Sequence, residues 1–278
     1  MQDSSGFSFP IAAAGSKRQK RITAFVVCLF VLLVLIFLTT FNVSCKNTEK
    51  PMVVIRLDDV QDYAFKEAQL FLLNESMINK VPLSLAVIAG AFGEDGDIVP
   101  TVKLAINSGS EVTVHGWEHE DITQLPLSGQ EELLSKARSQ IKKILGYDAT
   151  VFVPPMYNFN DDTITAMQQE SYRIISSFKD VSQPGLISQV TSVPATVELS
   201  DFFNNIWTMK SLDMVEAEIS ASIQKYGFAV IVTHPQEFIT DGKLNQADTE
   251  MFRTLLISLK KGYSFVTLKK LGENLPRQ

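Results

Sequence analysis

Apolar and polar positions along this chain form one long uncharged run followed by a regular alternation of short apolar stretches and amphipathic ones. The run, Ile22 to Phe41 (ITAFVVCLFVLLVLIFLTTF), is about twenty residues long, which at ~1.5 Å per residue spans a hydrocarbon core as a helix. Lys17, Arg18, Lys20 and Arg21 stand immediately before it, so the positive-inside rule predicts a cytoplasmic N-terminus and a C-terminal part outside. The expected organisation is a cytoplasmic tail at 1–21, a transmembrane anchor at 22–41, a linker at 42–51 and one globular domain at 52–278. A cleaved signal peptide, giving a secreted protein, is the competing reading. The run exceeds the ~7–15 residues of such a peptide's apolar core, and no small-x-small cleavage site is clean. Lipidation at Cys45 lacks the Leu and small residues expected before it.

Beyond the linker, MVVIRL from Met52 reads as a buried strand and Tyr63 to Ile78 has helical periodicity. A strand near Leu83 to Ile88, a helix near Ile98 to Asn107 and a strand at Glu111 to Val114 follow, with Gly109 marking the last junction. Gln130 to Leu145 is strongly amphipathic; then come the strand TVFV, a helix after Asn160 and the strand YRIIS. Lys179 to Ser200 is rich in turn residues. The alternation resumes with a helix at Leu212 to Tyr226, the strand FAVIVT, a helix at Ala247 to Lys260 and the strand SFVTL. Repeated βα units predict an α/β fold with a parallel sheet covered on its faces, open or closed into a barrel. In either form the C-terminal ends of the strands converge on one rim, where such folds build their sites.

Composition narrows the partners. Of 25 Lys/Arg and 31 Asp/Glu, six and two fall in the first fifty residues, leaving 19 basic against 29 acidic for the domain. Such a surface does not suit nucleic acid, which needs clustered cations; a neutral or cationic substrate fits. The two cysteines, Cys28 and Cys45, both precede the domain, so no disulfide framework holds it. Nothing in the sequence reads out an oligomeric state.

Candidate chemistry gathers at the predicted rim. Asp58-Asp59 ends the first strand, where buried carboxylates need a partner, a metal or solvent; a helix cap is the plain alternative. A diphosphate-binding cluster with Asp62 is disfavoured by the β/α order. His115 and His119, in VTVHGWEHED, follow another strand at a spacing suited to two metal-binding imidazoles. The intervening residues rule out the zincin H-E-x-x-H pattern. His234, in FAVIVTHPQEF, follows a third strand, so all three histidines of the chain map to one rim. Two His and one Asp leave coordination positions open to water, which favours hydrolysis. A two-His, one-carboxylate iron oxygenase uses the same donors.

In order and spacing, from Met52 to about Leu271, these residues resemble the polysaccharide deacetylase (NodB-homology) family. The resemblance implies a deformed (β/α) barrel, preceded here by one transmembrane helix, and removal of acetyl or similar acyl groups from N-acetylated sugars of envelope or extracellular glycans. It assigns Asp58 as general base, Asp59, His115 and His119 as metal ligands, and His234 as general acid. The cofactor implied is a divalent transition metal, with zinc the first expectation and cobalt, manganese, nickel or iron fitting the same donors. FVPPMYNFN occupies the place of the family's Arg-x-Pro-aromatic motif. The backbone N–H of Met156 is therefore the expected oxyanion donor, with Tyr157, Asn158 and Asn160 as polar neighbours and Trp117 as a candidate sugar platform or packing residue.

Two departures stand out. Val153 replaces the arginine that orients the base, and Arg56, two residues before Asp58, is the candidate substitute. The segment that tunes the acid has no clear counterpart, with Asp201, Trp207 and Asp213 as candidates. Glu118, Glu120 and Asp121 read as a solvated acidic edge. The missing arginine also motivates a catalytically silent glycan-binding domain as an alternative. Hydrolysis of another non-peptide C–N bond is a further one.

Overall fold

The computed structural model describes Leu29 and residues 50–177, 185–204 and 206–275. Both cysteines and, Leu29 apart, the expected membrane run lie outside the described residues. The chain divides into Met1–Glu49 and Lys50–Gln278, and the fold below is that of the second unit. Among the described residues no helix is long and apolar enough to cross a membrane.

Strand β1 (Met52–Val60) leads to helix α1 (Lys66–Asn79), β2 (Leu83–Val87) to α2 (Ile98–Asn107), β3 (Glu111–Val114) to α3 (Leu127–Leu145), and β4 (Val151–Phe152) to α4 (Asp161–Gln169). Then come β5 (Ile174–Ile175), β6 (Gly185–Ile187), β7 (Val190–Ser192), β8 (Val197–Glu198) and a hairpin of β9 (Ser200–Phe203) and β10 (Ile206–Met209). Helix α5 (Leu212–Tyr226), β11 (Phe228–Thr233), the short pair β12 (Ile239–Thr240) and β13 (Lys243–Leu244), α6 (Gln246–Gly262), β14 (Ser264–Phe265) and α7 (Leu268–Asn274) complete the domain. The sheet order is β6-β7-β5-β4-β3-β2-β1-β11-β8, with β14 beside the start of β1. All pairings in it are parallel except β6 with β7. Among the described residues β6 and β8 do not pair, which leaves a deformed, open barrel of the expected class. The stretch expected as turns, 179–200, contributes three short strands to it.

Side-chain alternation sorts the core into two layers. Val53, Ile55 and Leu57 of β1 pack outward against the helices. Val54 of β1, Ala86 of β2, Val151 and Val153 around β4, and Phe228, Val230 and Val232 along β11 fill the interior. The helices follow from their patterns: α3 buries Gln130, Leu133, Leu134, Ala137 and Ile141 on one stripe. It ends at Gly146, whose φ of 68° closes the last turn. Helix α7, which the sequence pattern did not predict, places Leu268 and Leu271 in the interior layer. Its first amides reach the N-terminal ends of the strands, Leu268 N–H donating to Ser84 Oγ at 2.9 Å.

Candidate functional site

The same alternation explains why the chemistry converges. Residues 54, 56 and 58 of β1 share a face with the interior layer, as do 113 and 115 leaving β3, and 230, 232 and 234 leaving β11. On a regular strand Asp58 and Asp59 would point to opposite sides. The register with β2 slips between Leu57 and Val60, and Asp59 takes a φ of 58°. This bulge brings both carboxylates to the rim. Backbone of this sparsely populated kind recurs at His119 (64°), Met156 (53°) and Tyr157 (61°), a concentration typical of functional sites.

Arg56 sits wholly buried and grips Asp58 through two bonds, Nε to Oδ1 at 2.8 Å and Nη2 to Oδ2 at 2.7 Å. Its Nη1 donates to the carbonyl and hydroxyl of Ser176, and the guanidinium lies 5.4 Å from the Tyr157 ring centre. Burial opposes the charge on Arg56, but Asp58, with Tyr157 and Glu198, together outweigh it and raise the guanidinium above its ordinary range. Arg56 thus puts a guanidinium on Asp58, where the resemblance expects the one that Val153 lacks. The two-residue spacing on one strand face makes this possible.

Asp59, His115 and His119 bring ligand atoms within 4.8 Å of one another. Asp59 Oδ1 lies 3.3 Å from Nε2 of each histidine, the separation expected between donors about 2.0–2.1 Å from a tetrahedral ion. Neither contact is a hydrogen bond, and Oδ1 is buried without a partner. Such an orphan is costly unless a cation answers it. His115 Nδ1 lies 2.7 Å from the Val153 carbonyl, which can only accept, so Nδ1 carries the proton and Nε2 offers its lone pair. Burial alone would raise the pKa of Asp59, yet His115, His234 and Gln236 hold it well below the usual carboxylate range. Burial and the neighbouring His115 push His119 down, toward the neutral form that binds metal. These residues therefore fit a divalent transition metal.

The loop carrying the two imidazoles has its own supports. Gly116, at φ 76°, lies where a Cβ would come 3.0 Å from Glu120 and 3.1 Å from Pro155. Glu120 accepts from the amides of Trp117 and Glu118, and Asp121 accepts from Thr123 and from Asn158 Nδ2 at 3.1 Å. The acidic edge is thus partly internal scaffolding; Glu118 alone is exposed. Asn158 ties loops together, and Asn160 caps α4. Trp117 is not among the residues lining the cavity that holds Asp58, Asp59 and the three histidines: its ring lies beneath Lys136 Nζ at 3.6 Å and against Gly90. Packing is the role this position supports.

His234 faces the metal-ligand cluster from β11. Its Nε2 is 4.0 Å from Asp58 Oδ2, and its Nδ1 is 2.9 Å from Glu237 Oε1. Glu237 is buried and accepts from Thr233 Oγ1 at 2.7 Å. Burial works against the imidazolium, but Glu237, Asp58 and Asp59 outweigh it and raise His234 to about 9. Trp207 lies tilted against the ring at 4.8 Å, with Phe202 tilted against Trp207 at 4.6 Å. Of the three residues considered as tuners of the acid, only Trp207 reaches it. Asp201 is exposed and near Lys210, and Asp213 is exposed on α5. The carboxylate that does reach His234 is Glu237, three residues along the chain in His-Pro-Gln-Glu, a spacing visible in the sequence that a short 3-10 turn brings into contact.

These groups line one cavity of about 400 Å³ whose other walls include Met156, Tyr157, Glu198 and Phe202. Glu198 accepts from the Tyr157 hydroxyl at 2.8 Å. A larger hollow of about 740 Å³ lies beside residues 90–95 and holds none of the candidate catalytic groups. Asp62 Oδ2 there accepts from the amides of Gly93, Glu94 and Asp95, and so shapes a loop.

Comparison with known proteins agrees with this geometry. Residues 45–175 match the family model for polysaccharide deacetylase. A peptidoglycan deacetylase-like protein of Gibberella zeae is 31% identical over 70 residues, which are 25% of this chain and 21% of that protein; the match thus spans about a fifth of the relative's length. Among solved structures, a Mycobacterium smegmatis protein described as a polysaccharide deacetylase superposes with a TM-score of 0.64 at 13% identity, over 84% of this chain and 94% of its own. A family 4 acetyl xylan esterase of Clostridium thermocellum, solved with a cobalt ion, superposes with a TM-score of 0.55 at 15% identity, over 79% and 89%. At these identities the structural likeness is one of fold. The matched segment, a little under half of the chain, contains the Asp-Asp pair and both metal-spaced histidines, and the fold carries His234 to the same rim: over residues 45–175 the chain matches the polysaccharide deacetylase family.

Proposed function

We propose that this domain is a metal-dependent hydrolase that removes acetyl or similar acyl groups from the amino sugars of an envelope or extracellular glycan. The observation that carries the reading is Asp59 Oδ1, buried and unpaired between two imidazoles, with the Arg56–Asp58 and His234–Glu237 pairs beside it. A dication bound by Asp59, His115 and His119 supplies Lewis acidity, polarising an acyl carbonyl and acidifying water. Zinc, cobalt, manganese, nickel and iron all accept this donor set.

Asp58, oriented by Arg56, takes a proton from the attacking water as its oxygen bonds to the carbonyl carbon. The backbone N–H of Met156 donates to the developing oxyanion. His234, held protonated by Glu237, gives its proton to the amide nitrogen as the C–N bond breaks, leaving a free amine and a carboxylate. Phe202 and Trp207 offer an aromatic face to the apolar side of a sugar ring. The buried Arg56–Asp58 pair supports turnover over a silent glycan-binding domain, because it supplies the guanidinium whose absence motivated that alternative. Tethering through residues 22–41, with the domain outside the cytoplasm, is part of the proposal.

The test is acetate release from N-acetylated oligosaccharides with added zinc, cobalt or manganese. Turnover that survives both chelation and His119→Ala would overturn the metal mechanism. Glycan binding by the metal-loaded protein without any release would favour the silent alternative.

A further inference from the structure

Asp59 has a second long-range contact that neither the mechanism nor the ligand set requires. Gln236 Nε2 donates to Asp59 Oδ2 at 2.7 Å, across 177 residues of chain. A carboxylate only accepts, so the edge of the amide facing it is the NH₂ group and the amide oxygen points away. That oxygen, Gln236 Oε1, is buried without a partner, as is Asp59 Oδ1. Both residues line the catalytic cavity. Within it, therefore, one carboxylate oxygen is occupied and the other is left for the two imidazoles.

We propose that Gln236 is a positioning residue of the metal centre, which commits Asp59 Oδ2 and so presents Oδ1 as a single-oxygen ligand. The proposal rests on the metal-centre reading above. Asp59 needs such a restraint because it sits on a bulge, in a backbone conformation that regular strand pairing does not fix. Gln236 can supply it because its turn, Pro235–Phe238, is anchored. Phe238 is fully buried against the rings of Phe71 and Phe252, and its carbonyl accepts from Asn245 N–H at 2.8 Å. The same turn follows His234 directly and contains Glu237. One short rigid segment thus sets both the acid and the aim of a metal ligand. Fixing the carboxylate to one oxygen keeps a further coordination position open for water or substrate. Partners of this kind change metal affinity by about 10–100-fold when removed.

The test uses full-length protein carrying Gln236→Met, which keeps the volume and removes the donor, and Gln236→Ala as a second variant. Zinc affinity is measured by competition with a chromophoric chelator, and cobalt coordination by visible absorption. Thermal unfolding of the metal-free proteins shows that each variant folds. The expected result is a Kd weakened by about 10–100-fold, with weaker cobalt bands as the released carboxylate binds through both oxygens. A zinc Kd within about twofold of wild type and an unchanged cobalt spectrum, in a variant as stable as wild type, would overturn the proposal and leave Gln236 a packing residue. His119→Ala separates the two levels of the argument. If it binds zinc as tightly as wild type, the metal-centre reading itself fails and takes the proposal with it.

Discussion

Strand β3 carries a buried ionisable group at each end of one interior file, Glu111 where it enters the barrel and His115 just beyond where it leaves. At the leaving end, charges meet charges: Arg56 faces Asp58, Glu237 faces His234, and Asp59 Oδ1 stands unpaired among imidazoles. At the entering end Glu111 meets only neutral donors. Ser84 Oγ lies 2.6 Å away, and the Lys269 amide of α7 lies at 3.2 and 3.3 Å. Burial then dominates and raises Glu111 to about 7, whereas Asp59, also desolvated, ends below the usual range. Burial does not by itself decide the fate of a carboxylate; the charge of its partner does. One end of this barrel is arranged to hold ions in place, and the other tolerates a carboxyl group that is easily protonated.

If that contrast is right, the largest effects come from breaking the ionic end. His119→Ala removes one of three metal donors, and the expected outcome is loss of at least about a thousandfold in acetate release, together with loss of tight zinc binding, by calorimetry. Arg56→Met comes next. It leaves Asp58 buried without its guanidinium, a change that costs up to about 3–5 kcal/mol when one partner of a buried pair is removed, with His234 at 4.0 Å the remaining cation. Denaturant unfolding should show that loss, and the double variant Arg56→Met with Asp58→Asn should regain much of it while remaining inactive. Equal stability for the single and double variants would mean that the pair is solvated and does not orient the base.

A smaller effect is expected at the acid. Glu237 is the largest of the influences that raise His234, so Glu237→Gln lowers the imidazolium range and moves the alkaline limb of kcat to lower pH. For a shift of about one unit from about 9, the rate at pH 8.5 should fall by about threefold, with much less change near pH 6. A bound dication also pushes His234 down, so the profiles are compared with the same metal loaded. A uniform drop at every pH would show that Glu237 only positions the ring.

Much of the ionic end was legible in the sequence, because its residues follow long apolar strands whose period is visible. The ends of the strands MVVIRL and FAVIVT placed Asp58 and His234 on the rim, and the two-residue interval from Arg56 to Asp58 made Arg56 the candidate partner of the base. What stayed hidden depends on short or irregular backbone. β4, β5 and β8 have two residues each, too few to show a period. The partner of His234 was sought at Asp201 and Asp213, on elements that leave those side chains in solvent, while Glu237 acts through a single 3-10 turn. Glu120 and Asp121 looked like surface charge because their acceptors' work is done with backbone amides, which a sequence does not display. Helix α7 escaped notice because seven residues give less than two periods of an amphipathic pattern.

The neutral end offers the finest test. Glu111 has its folded range raised to about 7 from an ordinary 4.5. Between these values the folded protein binds more protons than the unfolded chain, so this group makes stability fall as pH rises from about 4.5 to about 7, after which its penalty is constant. Glu111→Gln keeps an acceptor for Ser84 and Lys269 and removes the charge. It should therefore raise Tm at pH 8, by about 3 °C for a gain of roughly 1 kcal/mol in a domain of this size, and do little or lower Tm at pH 5, where Glu111 is already protonated. Lys269 is the cation closest in sequence to the contact, and Tyr147, itself raised to about 12 mainly by burial and then by Glu111, is the other titratable neighbour. Lys269→Met separates their contributions: Lys269 offsets part of the burial cost, so its loss should enlarge the gain from Glu111→Gln at pH 8 only slightly; if Glu111→Gln instead lowers Tm at pH 8 and Lys269→Met abolishes that loss, Glu111 is held by an ion pair, and the two ends of the barrel differ in strength rather than in kind.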